Sequence, residues 1–231
     1  MKEIDVDGLD PQVEPIGEKA HRGARMVLSM VPAVGGPLVE VFNSVIESPL
    51  TQRRWKIVQE IGEVINNLLE QKLVTENDLQ NNEAFISTVA EACSIALRNH
   101  QQEKLEALKN AVKNSALPNS VPEDYRQMFL NFVDVCTVTH IKLLHLYDDP
   151  VEWLKKNDMT FNHVSTGGLS SLMEHVFPGY RNHSEMYQVI WKDLYQRGLV
   201  NIEGVNGTMS RSGIIERRST AIGTELIKFI S

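Results

Sequence analysis

Between Pro49 and Lys156 the apolar residues recur at intervals of three and four, and no stretch of that length alternates residue by residue. A period near 3.6 gives each segment one apolar stripe, and each stripe needs another helix to cover it. Trp55, Val58, Ile61, Ile65, Leu68 and Leu69 trace a long helix over about Pro49 to Gln71, opened by Ser48-Pro49. Thr75 with Asp78 resembles a capping box and predicts a short helical turn. Phe85, Val89, Ala92, Cys93, Ala96 and Leu97 form a small-residue stripe that ends near His100, and Leu105, Leu108, Ala111, Val112 and Ala116 carry the next helix. Pro118 to Pro122 breaks the pattern. Tyr125, Met128, Phe129, Phe132, Val133 and Cys136 then make an aromatic helix, which the β-branched run Thr137 to Thr139 is expected to bend before His140 to Tyr147. Asp149-Pro150 caps a last short helix through Lys156.

Ahead of this body lies the most apolar stretch of the chain, Met26 to Ile46. Pro32, Gly35 and Gly36 divide it. Pro37 suits a first helical position, and Leu38, Val41, Phe42 and Val45 then share one face. Its length, roughly 20 residues, is that of a membrane span, but Glu40 sits near its centre, where a carboxylate costs about 2.5 to 3.5 kcal/mol. Two core helices joined by a bend is the preferred reading. Val31, Pro32, Leu38, Val41, Phe42 and Val45 stand as candidate membrane or partner contacts if the segment leaves the core.

Composition changes after Asp158. Residues 169–231 read as helix, helix, hairpin, helix: Leu169 to Phe177, then Asn182 with Glu185 opening a helix closed by Gly198, a strand over Leu199 to Val205, an Asn206-Gly207 turn, a return strand within Thr208 to Arg218, and a final helix from Thr220. That order is winged-helix-like. The expected fold is mainly α, an antiparallel multi-helix bundle followed by a small winged-helix-like α+β domain, with an extended arm over 1–22, the bundle over 23–157, a linker over 158–168 and the second domain over 169–231.

Charge limits the functional classes. The net charge is -7, and the last 74 residues contribute none of it, because seven Lys/Arg there meet seven Asp/Glu. An acidic body with a neutral tail gives no global electrostatic case for nucleic acid. The tail cations Lys192, Arg197, Arg211, Arg217 and Arg218 are the candidate nucleic-acid or partner contacts, with Glu185 and Asp193 offsetting the two on the helix in the recognition position.

No chemistry stands out in the same way. Gly35-Gly36 is not followed by the lysine and hydroxyl of a phosphate loop. The seven histidines include no HExxH, and His140 and His145 fall on different sides of a helix. Cys136 and His140 are four apart, but a thiol set among apolar residues makes a poor nucleophile. Cys93 and Cys136 read as buried, reduced thiols of a reducing compartment. No catalytic, cofactor or metal site is expected, and with no basic-then-apolar leader at Met1 the expected location is the cytoplasm.

The phrases VPAVGGPLVEVF, SPLTQRRW, ALRNHQQEKLEALKNAVKNSALP, THIKLLHLYDDP and RSTAIGTELIKFI together resemble a widespread bacterial family with a helical-bundle body and a winged-helix-like C-terminal domain. The resemblance runs from about Gly23 onward. It implies a bacterial cytoplasmic protein, carries no established activity and supplies no catalytic residues. The expected function is therefore a non-enzymatic regulatory or adaptor role through a protein partner or self-association. Two alternatives stay open: a membrane-acting effector of the stress or phage-defence type using residues 26–46, and a winged-helix DNA-binding regulator.

Overall fold

The computed structural model describes residues 48–118, 120–162 and 164–231 of the 231-residue chain. The N-terminal arm and the 26–46 segment, with Val31, Pro32, Leu38, Val41, Phe42 and Val45, lie outside the described residues. Among the described residues seven helices come first: α1 (Ser48–Glu70), α2 (Glu76–Gln80), α3 (Glu83–Arg98), α4 (Gln102–Ala116), α5 (Glu123–Val135), α6 (Val138–Asp148) and α7 (Pro150–Lys156). Then follow β1 (Thr166–Gly167), α8 (Leu169–Val176), a 3-10 turn (Tyr180–Asn182), α9 (Ser184–Gln196), β2 (Met209–Ser210), α10 (Arg211–Ile214) and α11 (Ala221–Ile230). The chain is mainly α, and no helix among the described residues is long and apolar enough to cross a membrane.

The caps set the helix starts. Thr75 Oγ1 accepts the Asp78 N–H at 3.2 Å while Asp78 Oδ2 accepts the Thr75 N–H at 2.9 Å, a full capping box. Asn82 Oδ1 takes the Phe85 N–H at 2.9 Å, and Asp149 Oδ1 takes that of Glu152 at 2.9 Å with Pro150 opening α7. Each such cap contributes about 1 kcal/mol. Between α5 and α6 the bend expected at Thr137 is a complete break, since both Cys136 and Thr137 have extended backbones. The cause is local: the Thr137 N–H turns to Nδ1 of His140 at 3.1 Å instead of continuing the helix ladder.

One contiguous core runs through body and tail. α1 lies on α3 and α4, α5 on the same pair, α9 on α6, and α11 returns onto α4 and α6. Phe129 of α5 meets Phe229 of α11 with ring centroids 5.8 Å apart. Tyr147 of α6 and Trp191 of α9, both fully buried, pack edge to face at 4.8 Å, a geometry worth about 0.5 to 1.5 kcal/mol beyond area alone. The C-terminal carbonyls of α11 would otherwise lack partners. Asn114 of α4 supplies them, its Nδ2 reaching the carbonyls of Phe229 at 2.9 Å, Lys228 at 3.0 Å and Ser231 at 3.2 Å.

The tail departs from the expected hairpin. β2 pairs antiparallel with β1, Thr166 opposite Ser210 and Gly167 opposite Met209, so its partner comes from the stretch expected to be linker. Leu199 and Val200 lie instead along Ser219 and Thr220, with the Thr220 N–H on the Leu199 carbonyl at 3.0 Å and that of Asn201 on the Arg218 carbonyl at 2.9 Å. Residues 211–214 are a helical turn rather than a return strand, capped by Ser210 Oγ at 3.3 Å from the Gly213 nitrogen. The Asn206-Gly207 turn expected there needs positive φ, and among the described glycines it is Gly198, not Gly207, that has it, at φ 72°.

Candidate functional site

The break after α5 brings chemistry to one point. Cys136 directly follows α5, His140 lies in the first turn of α6, and Asp193 sits in the last turn of α9 with Arg197 just after its end, and α9 packs across α6. Ligand-type atoms of Cys136, His140 and Asp193 all fall within 4.8 Å of one another. His140 Nε2 is 3.1 Å from Asp193 Oδ2, off the line that a hydrogen bond requires. Arg197 Nε donates to the same carboxylate oxygen at 2.6 Å, and its guanidinium lies 5.7 Å from the centre of the Phe132 ring. Lys104 of α4, 5% exposed, stands on the other side, donating to the Asp134 carbonyl at 2.8 Å and to Asn99 Oδ1 at 3.3 Å.

These surroundings set the protonation states. Burial pushes the Cys136 thiol up to about 11, against the pull of Arg197 and Lys104. Burial also lowers His140, against the attraction of Asp193. For Asp193 burial alone would act upward, but the hydrogen bond and charge of Arg197, joined by His140, hold the carboxyl below its ordinary value. At neutral pH the group is a thiol, a neutral imidazole and a carboxylate, so the thiol and imidazole do not form the ion pair of an activated nucleophile.

A metal fits the donor set poorly. The Thr137 backbone N–H can only donate, so Nδ1 of His140 must carry its lone pair toward it and the ring proton resides on Nε2, the nitrogen that faces Asp193. A cation between these residues would have to displace that proton and then compete with Arg197 for the carboxylate. The cluster is a half-buried polar contact between α6 and α9 beside the C-terminal end of α5.

The tail cations singled out from the sequence each have a partner within the chain. Lys192 lies 3.6 Å from Glu203 and Arg197 is held by Asp193. Arg211 donates to Asn162 Oδ1. Arg217 Nε donates to the Asp148 carbonyl at 2.7 Å, and Arg218 donates to the Gly213 carbonyl and pairs with Glu216 at 3.0 Å. All five are engaged within the chain. The residues that α9 leaves exposed include, beside Glu185, Gln188, Lys192 and Gln196, two that are large and apolar: Val189 is 68% exposed and Met186 44%.

Sequence reasoning paired Cys136 with His140 and missed Asp193. The i, i+4 spacing of Asp193 and Arg197 was a visible signal of a pair, but nothing in the sequence says that α9 lies across α6. No family, curated protein or solved structure matches the chain.

Proposed function

We propose that the protein is a non-catalytic regulatory or adaptor-type protein that acts through protein–protein contact, with the outer face of α9 as its docking surface and a second copy of the chain as the occupant. The observation that supports this is the pairing of cations with exposed apolar groups on one element. Arg197, Arg211, Arg217 and Arg218 are engaged within the chain, while Met186 and Val189, one turn apart, are exposed on α9.

Charge favours a second copy. Glu185 and Lys192 lie seven residues apart on the exposed face, with Val189 between them. Two α9 helices crossing antiparallel about a two-fold axis near Val189 place Glu185 of each chain against Lys192 of the other, a self-complementary contact. The existing Lys192–Glu203 pair is more than half exposed on both sides, so exchanging it costs little. One face of a 13-residue helix falls at the weak end of interface sizes, so the dimer is transient.

Sedimentation velocity over a concentration series tests this. The wild type should show a concentration-dependent rise in weight-average mass, and Val189→Glu should abolish it without changing helicity. A monomer at every concentration, or a dimer insensitive to Val189→Glu, rejects the reading.

A further inference from the structure

Residues of the connection from α1 to α3, the C-terminal end of α4 and Ser120 line an open cleft of about 390 Å³, within the range of small-molecule sites. Arg126, in the first turns of α5, lines it and is only 8% exposed. Charges this buried are normally paired. Arg197 and Arg218 each hold a carboxylate, but among the described residues Arg126 does not. Its Nη1 donates to the Val121 carbonyl at 3.0 Å and reaches Ser120 Oγ at 3.5 Å, while Nε and Nη2 make no hydrogen bond there. Nε and Nη2 form the edge of a guanidinium that takes two oxygens side by side.

We propose that this cleft binds the oxyanion group of a small ligand, a carboxylate or a phosphate, on Nε and Nη2 of Arg126, with the Ser120 hydroxyl as an additional donor. The remaining lining selects the ligand further. Asn82 and Ser115 give the wall polar groups, and Asp78 stands in the same cleft with its carboxyl held low by the Thr75 hydroxyl and backbone N–H. That fixed negative charge disfavours a ligand carrying a second anionic group, so the remainder of the ligand is neutral or positive. Leu73, 46% exposed at the cleft, accommodates a short apolar portion.

The test follows the Arg126 Nε–H resonance and the thermal midpoint of the full chain during separate titrations with inorganic phosphate and with acetate, using sodium chloride at matched ionic strength as the control. At least one of the two anions should give a saturable shift of that resonance and a higher midpoint. Arg126→Lys, which keeps the charge and loses the fork, should weaken the midpoint response several-fold. Ser120→Ala should weaken both responses while leaving the circular dichroism unchanged. Arg126→Met should abolish the midpoint response and, without anion, be no less stable than the wild type, because it removes an uncompensated buried charge. No saturable response in the wild type overturns the proposal. So does a response equal in the chloride control or unchanged in Arg126→Lys and Ser120→Ala, which would mean an adventitious ion only.

Discussion

His140 joins two elements through one ring: Nδ1 accepts the Thr137 N–H at the start of α6, and Nε2 faces Asp193 on α9. Both contacts use the neutral tautomer, and protonation puts a hydrogen on Nδ1 where the backbone already supplies one. His145 is lowered too, by burial working against Asp148. For both histidines the unfolded chain takes up protons first as the pH falls through about 6.5. Their contribution to stability is therefore complete above that value, falls as the pH drops toward the lower folded values, and loses nothing more below them. Urea unfolding at pH 7.5 and pH 5 should show a lower free energy at the acid value, and His140→Gln should flatten that difference. An unchanged difference in the variant would assign the dependence elsewhere. Cys136 makes a companion case. With its thiol near 11, about one molecule in ten thousand carries the thiolate at pH 7. A disulfide-forming thiol reagent at pH 7.5 should label Cys136 in folded protein far more slowly than in the urea-unfolded chain, and equal rates would refute the burial account.

At the scale of elements, close approach governs the C-terminal helix. Thr220 Oγ1 caps α11 by accepting the Gly223 N–H at 3.1 Å, while the Thr220 N–H donates to the Leu199 carbonyl. This seats the first turn of α11 so tightly that a Cβ on Gly223 would lie 2.2 Å from the Leu199 carbonyl oxygen. Gly223→Ala should cost about 2 kcal/mol despite the better helix propensity of alanine. A methyl group on Gly207 would meet nothing within 4 Å, so alanine there should be accepted within about 0.5 kcal/mol. Denaturant midpoints of the two variants check both statements, and equal effects would contradict the packing account.

The same elements show how much the sequence carries. The periodic segments, the caps at Thr75 and Asp149 and the helix start at Thr220 were legible, because a cap and its helix lie within four residues of each other; the cap expected at Asn182 was not formed, since Asn182 ends the 3-10 turn and α9 begins after His183. The strand pairing was not, because β2 takes its partner from Thr166 and Gly167, more than forty residues back, and a Gly168 Cβ would lie 2.4 Å from the Val205 carbonyl oxygen, so that glycine admits the chain there. The His140–Asp193 contact and the Arg126 cleft were hidden for the same reason. Each depends on how distant helices and connections are seated, which local propensity does not encode.

For the whole molecule, the two consecutive residues Tyr147 and Asp148 join body to tail. The Tyr147 hydroxyl donates to the Leu169 carbonyl at 2.6 Å, and its own carbonyl accepts the Arg218 N–H at 2.7 Å. Asp148 Oδ1 accepts the Ser219 hydroxyl at 2.5 Å and the Thr224 hydroxyl at 2.7 Å. Those bonds cross from α6 to the start of α11, beside the shared core of Phe129, Leu143, Trp191 and Phe229. Removing the carboxylate leaves the two hydroxyls, 3.0 Å apart, with only each other among the described residues, so Asp148→Ala should cost about 3 kcal/mol, with hydrogen bonds to a charged group worth about 1.5 to 3 kcal/mol each and part recovered by that pairing and by water. Because the core is continuous, that loss should be felt by the molecule as a unit rather than by the tail alone. Native-state hydrogen exchange distinguishes the two cases. The slowest amides of α4 and of α9 should exchange with the same free energy in the wild type and fall together in Asp148→Ala, whereas protection lost from α9 and α11 with α4 unchanged would mean a tail that opens independently of the body.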